Sequence, residues 1–257
     1  MLPLSPQDWA YLSGFGGAAV MLPIVLAISG WLLFAYSWRV TALWLTLIGG
    51  ACVLVACTKI AFVGWGLGIL AIDFAGISGH TMLSTAVIPV MLYLALLATR
   101  HAWRIAGMLC GLAIGFLIGL SRLALQAHSV SEMVAGCVLG AGVSMAFIAL
   151  IHRREPLRTA ALLTPISLLE LAFGLHGLRV PTQHWIIEIA LTLSGHERPF
   201  VRARWKANRP HEKTGAHGDL PGRRPYQATT LPSSLRPPSS LRYYLPAPSL
   251  NRSPAPS

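Results

Sequence analysis

Long apolar segments separated by short polar loops dominate the first 151 residues of the chain. They cover roughly residues 18–36, 42–63, 81–98, 105–120 and 132–151. A helix needs about 20 apolar residues to cross a bilayer, so these segments are typical of membrane spans. Residues 159–178 are also apolar, but Pro165 and Glu170 interrupt them, which fits either a sixth span or an interfacial helix. The pattern predicts an all-α fold, a polytopic transmembrane helical bundle of five to six spans.

The composition changes near residue 201. Residues 202–257 contain ten of the 20 Lys and Arg residues and two of the nine Asp and Glu residues, and ten of the 18 prolines follow residue 208. Such a composition cannot build a packed core. We therefore predict a transmembrane domain over residues 1–200 and a basic, disordered tail over residues 201–257. The tail carries most of the net charge of +11, so this charge says little about the function of the helical domain. We expect no nucleic-acid partner.

Arginines in the loops indicate how the bundle is oriented. Arg39 follows the first span, Arg100 and Arg104 join the third and fourth, and Arg153 and Arg154 follow the fifth. In an alternating topology these loops share one side, which the positive-inside rule makes cytoplasmic. Two polar motifs then lie together on the opposite side. Small residues inside the spans, such as the glycines at positions 111, 115 and 119, permit close helix packing.

The first polar motif reads Ser121-Arg122-x5-His128-x3-Glu132 and joins the fourth and fifth spans. His128 and Glu132 share a face if the segment is helical, so the carboxylate can hold one ring nitrogen and leave the other free to attack. An alternative is a capping box, with Ser129 as the N-cap and Glu132 three residues later. The guanidinium of Arg122 suits phosphate oxygens, although a snorkelling arginine is the alternative.

The second polar motif, Ser78-Gly79-His80, stands before the third span. Amide groups at a helix N-terminus attract anions, and a glycine lets a phosphate approach the backbone closely. Lys59 lies near the same end of the second span, where it either contacts a phosphate or snorkels to the interface. The tripeptide recurs at residues 194–196 without a following span, and we interpret that second copy as a coincidence.

These residues, in this order, resemble the type 2 phosphatidic-acid phosphatase superfamily, which also includes vanadium haloperoxidases. The motifs of that family are Lys-x6-Arg-Pro, Pro-Ser-Gly-His and Ser-Arg-x5-His-x3-Asp. The chain matches the third motif with Glu132 in place of aspartate and the second with Ile77 in place of proline. Of the first motif only Lys59 remains, since the chain has Trp65-Gly66 in the region of the Arg-Pro pair. The resemblance covers roughly residues 40–152, the motif core.

The resemblance implies a role for each matching residue. His128 would attack phosphorus and form a phosphohistidine, Glu132 would orient it, and His80 would protonate the leaving group and then activate water. The phosphoryl oxygens would be bound by Lys59, Ser78, Gly79, Ser121 and Arg122. No metal or other cofactor would be needed, because fixed cations and helix-end amides stabilise the charge of the transition state.

The function implied by the resemblance is that of an integral-membrane, metal-independent, acid-phosphatase-like enzyme. It would hydrolyse a phosphomonoester or diphosphate of a lipid, such as phosphatidic acid, phosphatidylglycerol phosphate or a polyprenyl diphosphate. The expected location is the bacterial inner membrane, with the active site facing the periplasm. The lost arginine raises an alternative, a catalytically inactive membrane module that binds a lipid phosphate or a protein partner. A vanadate-dependent haloperoxidase is disfavoured, because the chain is a small bundle without that arginine.

Overall fold

The computed structural model describes residues 5–152, 182–202 and 205, all of which belong to one compact unit. Within them the chain forms a short 3-10 helix at Leu70–Ile72 and seven α-helices. In chain order these are α1 (Pro6–Phe15), α2 (Ala18–Ala35), α3 (Trp38–Trp65), α4 (Gly79–Ala95), α5 (His101–Ala124), α6 (Val130–Ile151) and α7 (Thr182–Ser194). No strand occurs in these ranges, which contain one isolated bridge between Ile69 and Phe74.

Four stretches of the described chain are long and apolar enough to cross a membrane. They are Pro6–Ala35, which comprises α1 and α2, together with α3, α5 and α6. The segment predicted at residues 81–98 becomes α4, whose 17 residues extend about 25 Å, somewhat less than the hydrocarbon core. The prediction of a helical membrane bundle is confirmed. Residues 159–178, for which the sequence left open a sixth span or an interfacial helix, lie outside the described residues, as do residues 206–257 of the predicted tail.

The first helix is not predicted by the hydrophobic pattern. Ser5 caps α1 by accepting a hydrogen bond from the backbone of Asp8, whose carboxylate accepts one in return from the backbone of Ser5. Pro6 occupies the first helical position, where its missing N–H costs nothing. The helix packs against α5 and ends at Phe15, so the turn at Gly16–Gly17 lies beside His80 at the start of α4.

Glycines on α5 and α6 allow both helices to approach α4 closely, in agreement with the prediction from their spacing. A Cβ atom added at Gly115 of α5 would lie 2.9 Å from the Cα of Thr85, and one added at Gly136 of α6 would lie 2.7 Å from the carbonyl oxygen of Ser78. Real Cβ atoms do not come this close to backbone atoms. The central helix α4 is therefore held between α5 and α6, which places its first residues next to theirs.

The two ends of the bundle differ in their polar residues. Arg39 and Arg100 lie near the starts of α3 and α5, and the charge of Arg104 acts on Tyr36 at the end of α2. At the opposite end, the backbone N–H of Ser78 donates a hydrogen bond of 3.1 Å to the carbonyl of Glu132, joining the starts of α4 and α6. We call this second end the site end.

Replacement of a glycine at the α4 contact should destabilise the bundle. We expect Gly115→Ala to lower the free energy of unfolding by about 1–3 kcal/mol, because the added methyl group meets backbone atoms of Thr85 that cannot move aside. Gly49→Ala is the matched control, since a Cβ at that position meets nothing within 4 Å. Thermal unfolding in detergent measures both variants, and equal midpoints would contradict the packing described here.

Candidate active site

The carboxylate of Glu132 is the most highly connected polar group at the site end. Glu132 is 1% exposed, and it lies in the first turn of α6. Its Oε2 atom accepts hydrogen bonds from Nδ1 of His128 at 2.7 Å and from the backbone N–H of Ser129 at 3.2 Å. Its Oε1 atom accepts from the backbone N–H of Ala75 at 2.8 Å and from the guanidinium of Arg202.

Both interpretations of Glu132 that the sequence left open are therefore present together. Ser129 caps α6 by accepting a hydrogen bond from the backbone N–H of Glu132, while the Glu132 carboxylate accepts one from the backbone of Ser129. The same carboxylate oxygen also holds His128. The capping box thus fixes the position of the Glu132 carboxylate, and the same carboxylate orients the ring of His128.

His128 lies in the loop between α5 and α6, and its side chain is 13% exposed. Because its Nδ1 atom donates to a carboxylate, the other ring nitrogen, Nε2, carries the lone pair. Burial lowers the pKa of His128 below its ordinary value of 6.5, and the hydrogen bond to Glu132 acts in the opposite direction. The ring is therefore oriented, and its neutral form is favoured near neutral pH.

Three cationic or titratable side chains from other helices surround His128. The charges of Lys59 on α3 and Arg122 on α5 act on its ring, and His80 on α4 lies within electrostatic range of all three groups. The structure therefore brings the two predicted motifs and Lys59 together at the site end. Arg122 donates from Nη1 to the hydroxyl of Ser13 at 2.9 Å. Its Nε atom is buried and has no hydrogen-bond partner among the described residues.

The two serines of the motifs are fully buried and their hydroxyl groups are engaged within the protein. The hydroxyl of Ser78 lies 2.9 Å from that of Thr81, and the hydroxyl of Ser121 donates to the carbonyl of Ile118 at 2.6 Å. These hydrogen bonds are local: one stabilises the start of α4 and the other the last turns of α5. A phosphate-binding role for either hydroxyl would require these hydrogen bonds to rearrange, so that role stays a prediction.

The loop from residue 66 to residue 78 packs against the end of α3 and carries backbone donors to the site. The N–H of Ile77 donates to the hydroxyl of Thr58 at 3.2 Å. Gly76 adopts a φ of 138°, and a Cβ there would lie 3.2 Å from the side chain of Lys59. The loop thus passes directly over Lys59 and delivers the N–H of Ala75 to Glu132.

Sequence reasoning missed two residues that contact the predicted ones, Ser13 and Arg202, and a third, Asp73, that lies close to Arg202. Ser13 of α1 holds Arg122, Arg202 donates to Glu132, and Asp73 lies with its Oδ1 atom 3.9 Å from Nε of Arg202. None of them belongs to a motif, and no local spacing connects them to one. Arg202 falls in the range predicted as tail, so the packed part of the chain extends past residue 201.

The second Ser-Gly-His tripeptide lies at the end of α7, against α3. Nδ1 of His196 lies 2.9 Å from the carbonyl oxygen of Gly64, and a Cβ at Gly64 would lie 3.3 Å from Cβ of Ser194. The tripeptide follows a helix instead of starting one. Its observed contacts attach the segment after α7 to the end of α3.

Comparisons with known proteins place this arrangement in a family. The sequence model of the PAP2 superfamily matches residues 70–156, a range that contains both polar motifs and leaves Lys59 outside. The chain is also 33% identical over 206 residues to a Klebsiella pneumoniae protein described as "Uncharacterized 22.5 kDa protein in cps region". That alignment covers 76% of this chain and 96% of the relative. No solved structure matches the chain.

The fold and these matches define a membrane enzyme of the phosphatase type. The chain belongs to the PAP2 superfamily, and the resemblance drawn from its motifs is confirmed.

The contact between His128 and Glu132 predicts the direction of a pKa change. Glu132→Gln removes the negative charge that raises the pKa of His128, so the titration midpoint of the ring should move further below 6.5. Ring-carbon NMR shifts in detergent, assigned by comparison with His128→Ala, measure the midpoint. A midpoint that stays constant or rises would contradict the electrostatic coupling of the two groups.

Proposed function

We propose that the protein hydrolyses a phosphomonoester or diphosphate of a lipid through a phosphohistidine formed on His128. The observation that carries this proposal is the arrangement of the ring: Nδ1 is bonded to the buried carboxylate of Glu132, while the side chain retains 13% exposure beside Lys59 and Arg122. An oriented, neutral imidazole next to fixed cations is suited to attack an anionic phosphoryl group.

The proposed reaction has two steps. In the first, Nε2 of His128 attacks phosphorus, a P–N bond forms, and the bond from phosphorus to the lipid oxygen breaks as the imidazolium form of His80 gives that oxygen a proton and becomes neutral. In the second, His80 takes a proton from water, whose oxygen attacks phosphorus. The P–N bond then breaks and inorganic phosphate leaves. Glu132 stabilises the positive charge on the His128 ring during both steps.

Binding of the phosphoryl oxygens is supported by donors that the protein leaves available. A buried guanidinium N–H without an acceptor is costly, and a phosphate oxygen would satisfy Nε of Arg122. Ser78 makes no side-chain capping bond at the start of α4, so its hydroxyl does not occupy the amide groups of the first turn, which are the groups that an anion would bind. Lys59 adds a second cation near the same place.

The location of the site supports a lipid substrate. The site lies at the ends of helices that are long enough to span a membrane, which is the depth of lipid headgroups. With the arginines at the opposite end facing the cytoplasm, the site would face the periplasm of a bacterial inner membrane. The chemistry uses protein groups for every step, so we expect turnover without added metal.

A second candidate function, binding of a lipid phosphate without hydrolysis, is supported by the missing arginine of the first motif. The six-residue spacing after Lys59 puts the arginine position of that motif at Gly66, which ends α3 with a φ of 69°. The cation that the family motif supplies there is absent from this position. A module that binds a lipid phosphate without hydrolysing it is therefore the alternative.

Replacement of the proposed nucleophile should abolish turnover. We expect His128→Ala to lower phosphate release from phosphatidic acid, phosphatidylglycerol phosphate or a polyprenyl diphosphate by at least about 1,000-fold in detergent without metal. His101→Ala is the control, because that exposed histidine starts α5 at the opposite end. Full activity of the His128 variant would overturn the mechanism. Phosphate-dependent binding without turnover by the wild-type protein would favour the binding module.

Gly79 allows ligand approach to be separated from folding. A Cβ at this position would meet Val55 at 3.6 Å, an ordinary contact, so Gly79→Ala should fold normally. If a phosphoryl oxygen approaches the backbone here, the methyl group should lower kcat/KM by about 10-fold, or roughly 1.4 kcal/mol. Gly142→Ala, at an open position on α6, is the control. Unchanged kcat/KM in the Gly79 variant would remove this residue from the proposed phosphate site.

A further inference from the structure

The chain returns to the site end after α7. The backbone N–H of Phe200 donates to the carbonyl of Val63 at 2.9 Å, near the end of α3. The ring of Phe200 covers Gly66, where an added Cβ would lie 2.8 Å from Cδ1 of that ring. Trp205 packs edge-on against Phe62, with ring centroids 5.2 Å apart. We call residues 195–202 with Trp205 the return segment.

The return segment brings a guanidinium to the carboxylate that holds His128. Nη2 of Arg202 donates to Oε1 of Glu132, while His128 donates to Oε2 of the same carboxylate. Nε of Arg202 lies 3.9 Å from Oδ1 of Asp73. The Arg202 side chain is 29% exposed, whereas Glu132 is 1% exposed. One carboxylate therefore joins the histidine on one oxygen to an arginine on the other.

We propose that Arg202 is a positioning residue for the reaction, which holds the Glu132 carboxylate in the ionised, fixed state that orients His128. This inference rests on the proposed function and deepens it. Arg202 lies outside the region matched by the family model, residues 70–156, so this contact is supplied by a part of the chain beyond that match. The return segment also covers Gly66, the position at which the first motif lacks its arginine.

The chemistry favours a positioning role over binding of the substrate. A guanidinium that donates to a buried carboxylate is neutralised by it and has little remaining attraction for a phosphate. Lys59 and Arg122, whose charges act on the His128 ring, are the groups that we propose bind the phosphate. Asp73 adds negative charge next to Glu132, and Arg202 lies close to both carboxylates.

Removal of Arg202 should change the titration of His128 in a defined direction. The groups that act on the His128 ring are Glu132 on α6, Lys59 on α3, Arg122 on α5 and His80 on α4, with Asp73 and Arg202 behind Glu132. Without Arg202, a positive charge beside the Glu132 carboxylate is lost, so the negative charge of Glu132 acts on the His128 ring with less compensation. The protonated form of His128 is then favoured, and its titration midpoint moves to higher pH.

The test uses the full-length protein in detergent. In Arg202→Gln we expect the acid limb of kcat to move to higher pH and kcat at neutral pH to fall by about 10-fold, with KM nearly unchanged. Arg202→Lys should restore part of both. Arg198→Gln, an exposed arginine of the same segment, is the control and should match the wild-type protein. A rise in KM with kcat unchanged would overturn the positioning role, because it would indicate substrate binding.

A second readout separates this inference from the proposed function. Ring-carbon NMR of His128 follows its titration whether or not the protein turns over any substrate. If no lipid phosphate is hydrolysed, the proposed function fails, but an upward shift of the His128 midpoint in Arg202→Gln still supports the coupling of Arg202 to the site. An unchanged midpoint in Arg202→Gln would overturn the inference, since Arg202 would then not be coupled to His128.

Discussion

The buried carboxylate of Glu132 is the interaction on which the site depends. An ionised carboxylate without partners inside a bundle costs several kcal/mol, and here four donors offset that cost. They are Ala75, His128, Ser129 and Arg202. The donors come from the loop before α4, the loop before α6 and the segment after α7. Satisfying one carboxylate therefore fixes the relative positions of three separate parts of the chain, and removing any donor leaves the others less well placed.

A second constraint brings the helices themselves into register. Glycines on α5 and α6 let α4 lie so close that its first residues reach the first turn of α6, where the N–H of Ser78 bonds to the carbonyl of Glu132. Packing of small residues in the apolar part of the bundle thus determines the distance between the two polar motifs at its end. The buried hydroxyls of Ser78 and Ser121 complete these helix ends with local hydrogen bonds.

The chain belongs to the PAP2 superfamily, and it matches the second and third motifs of that family more closely than the first. Gly66, in the arginine position, ends α3 in a left-handed conformation, and Phe200 covers it. An aromatic ring thus packs against a glycine at the position where the family motif has a charged arginine. The same return segment places a guanidinium on Glu132, so a cation reaches the site from a different direction and with a different partner.

The sequence by itself determined the helical membrane class, the approximate spans and the spacing of His128 and Glu132. The length of an apolar segment and the four-residue spacing on a helix are both local properties of the chain. It left open whether Glu132 caps a helix or orients a histidine, and the structure shows both because one oxygen, Oε2, accepts from the N–H of Ser129 and from Nδ1 of His128. Only the tertiary structure identified Ser13 and Arg202. Their bonds to Arg122 and Glu132 join residues 109 and 70 positions apart, and no local pattern encodes contacts made by packing of distant segments.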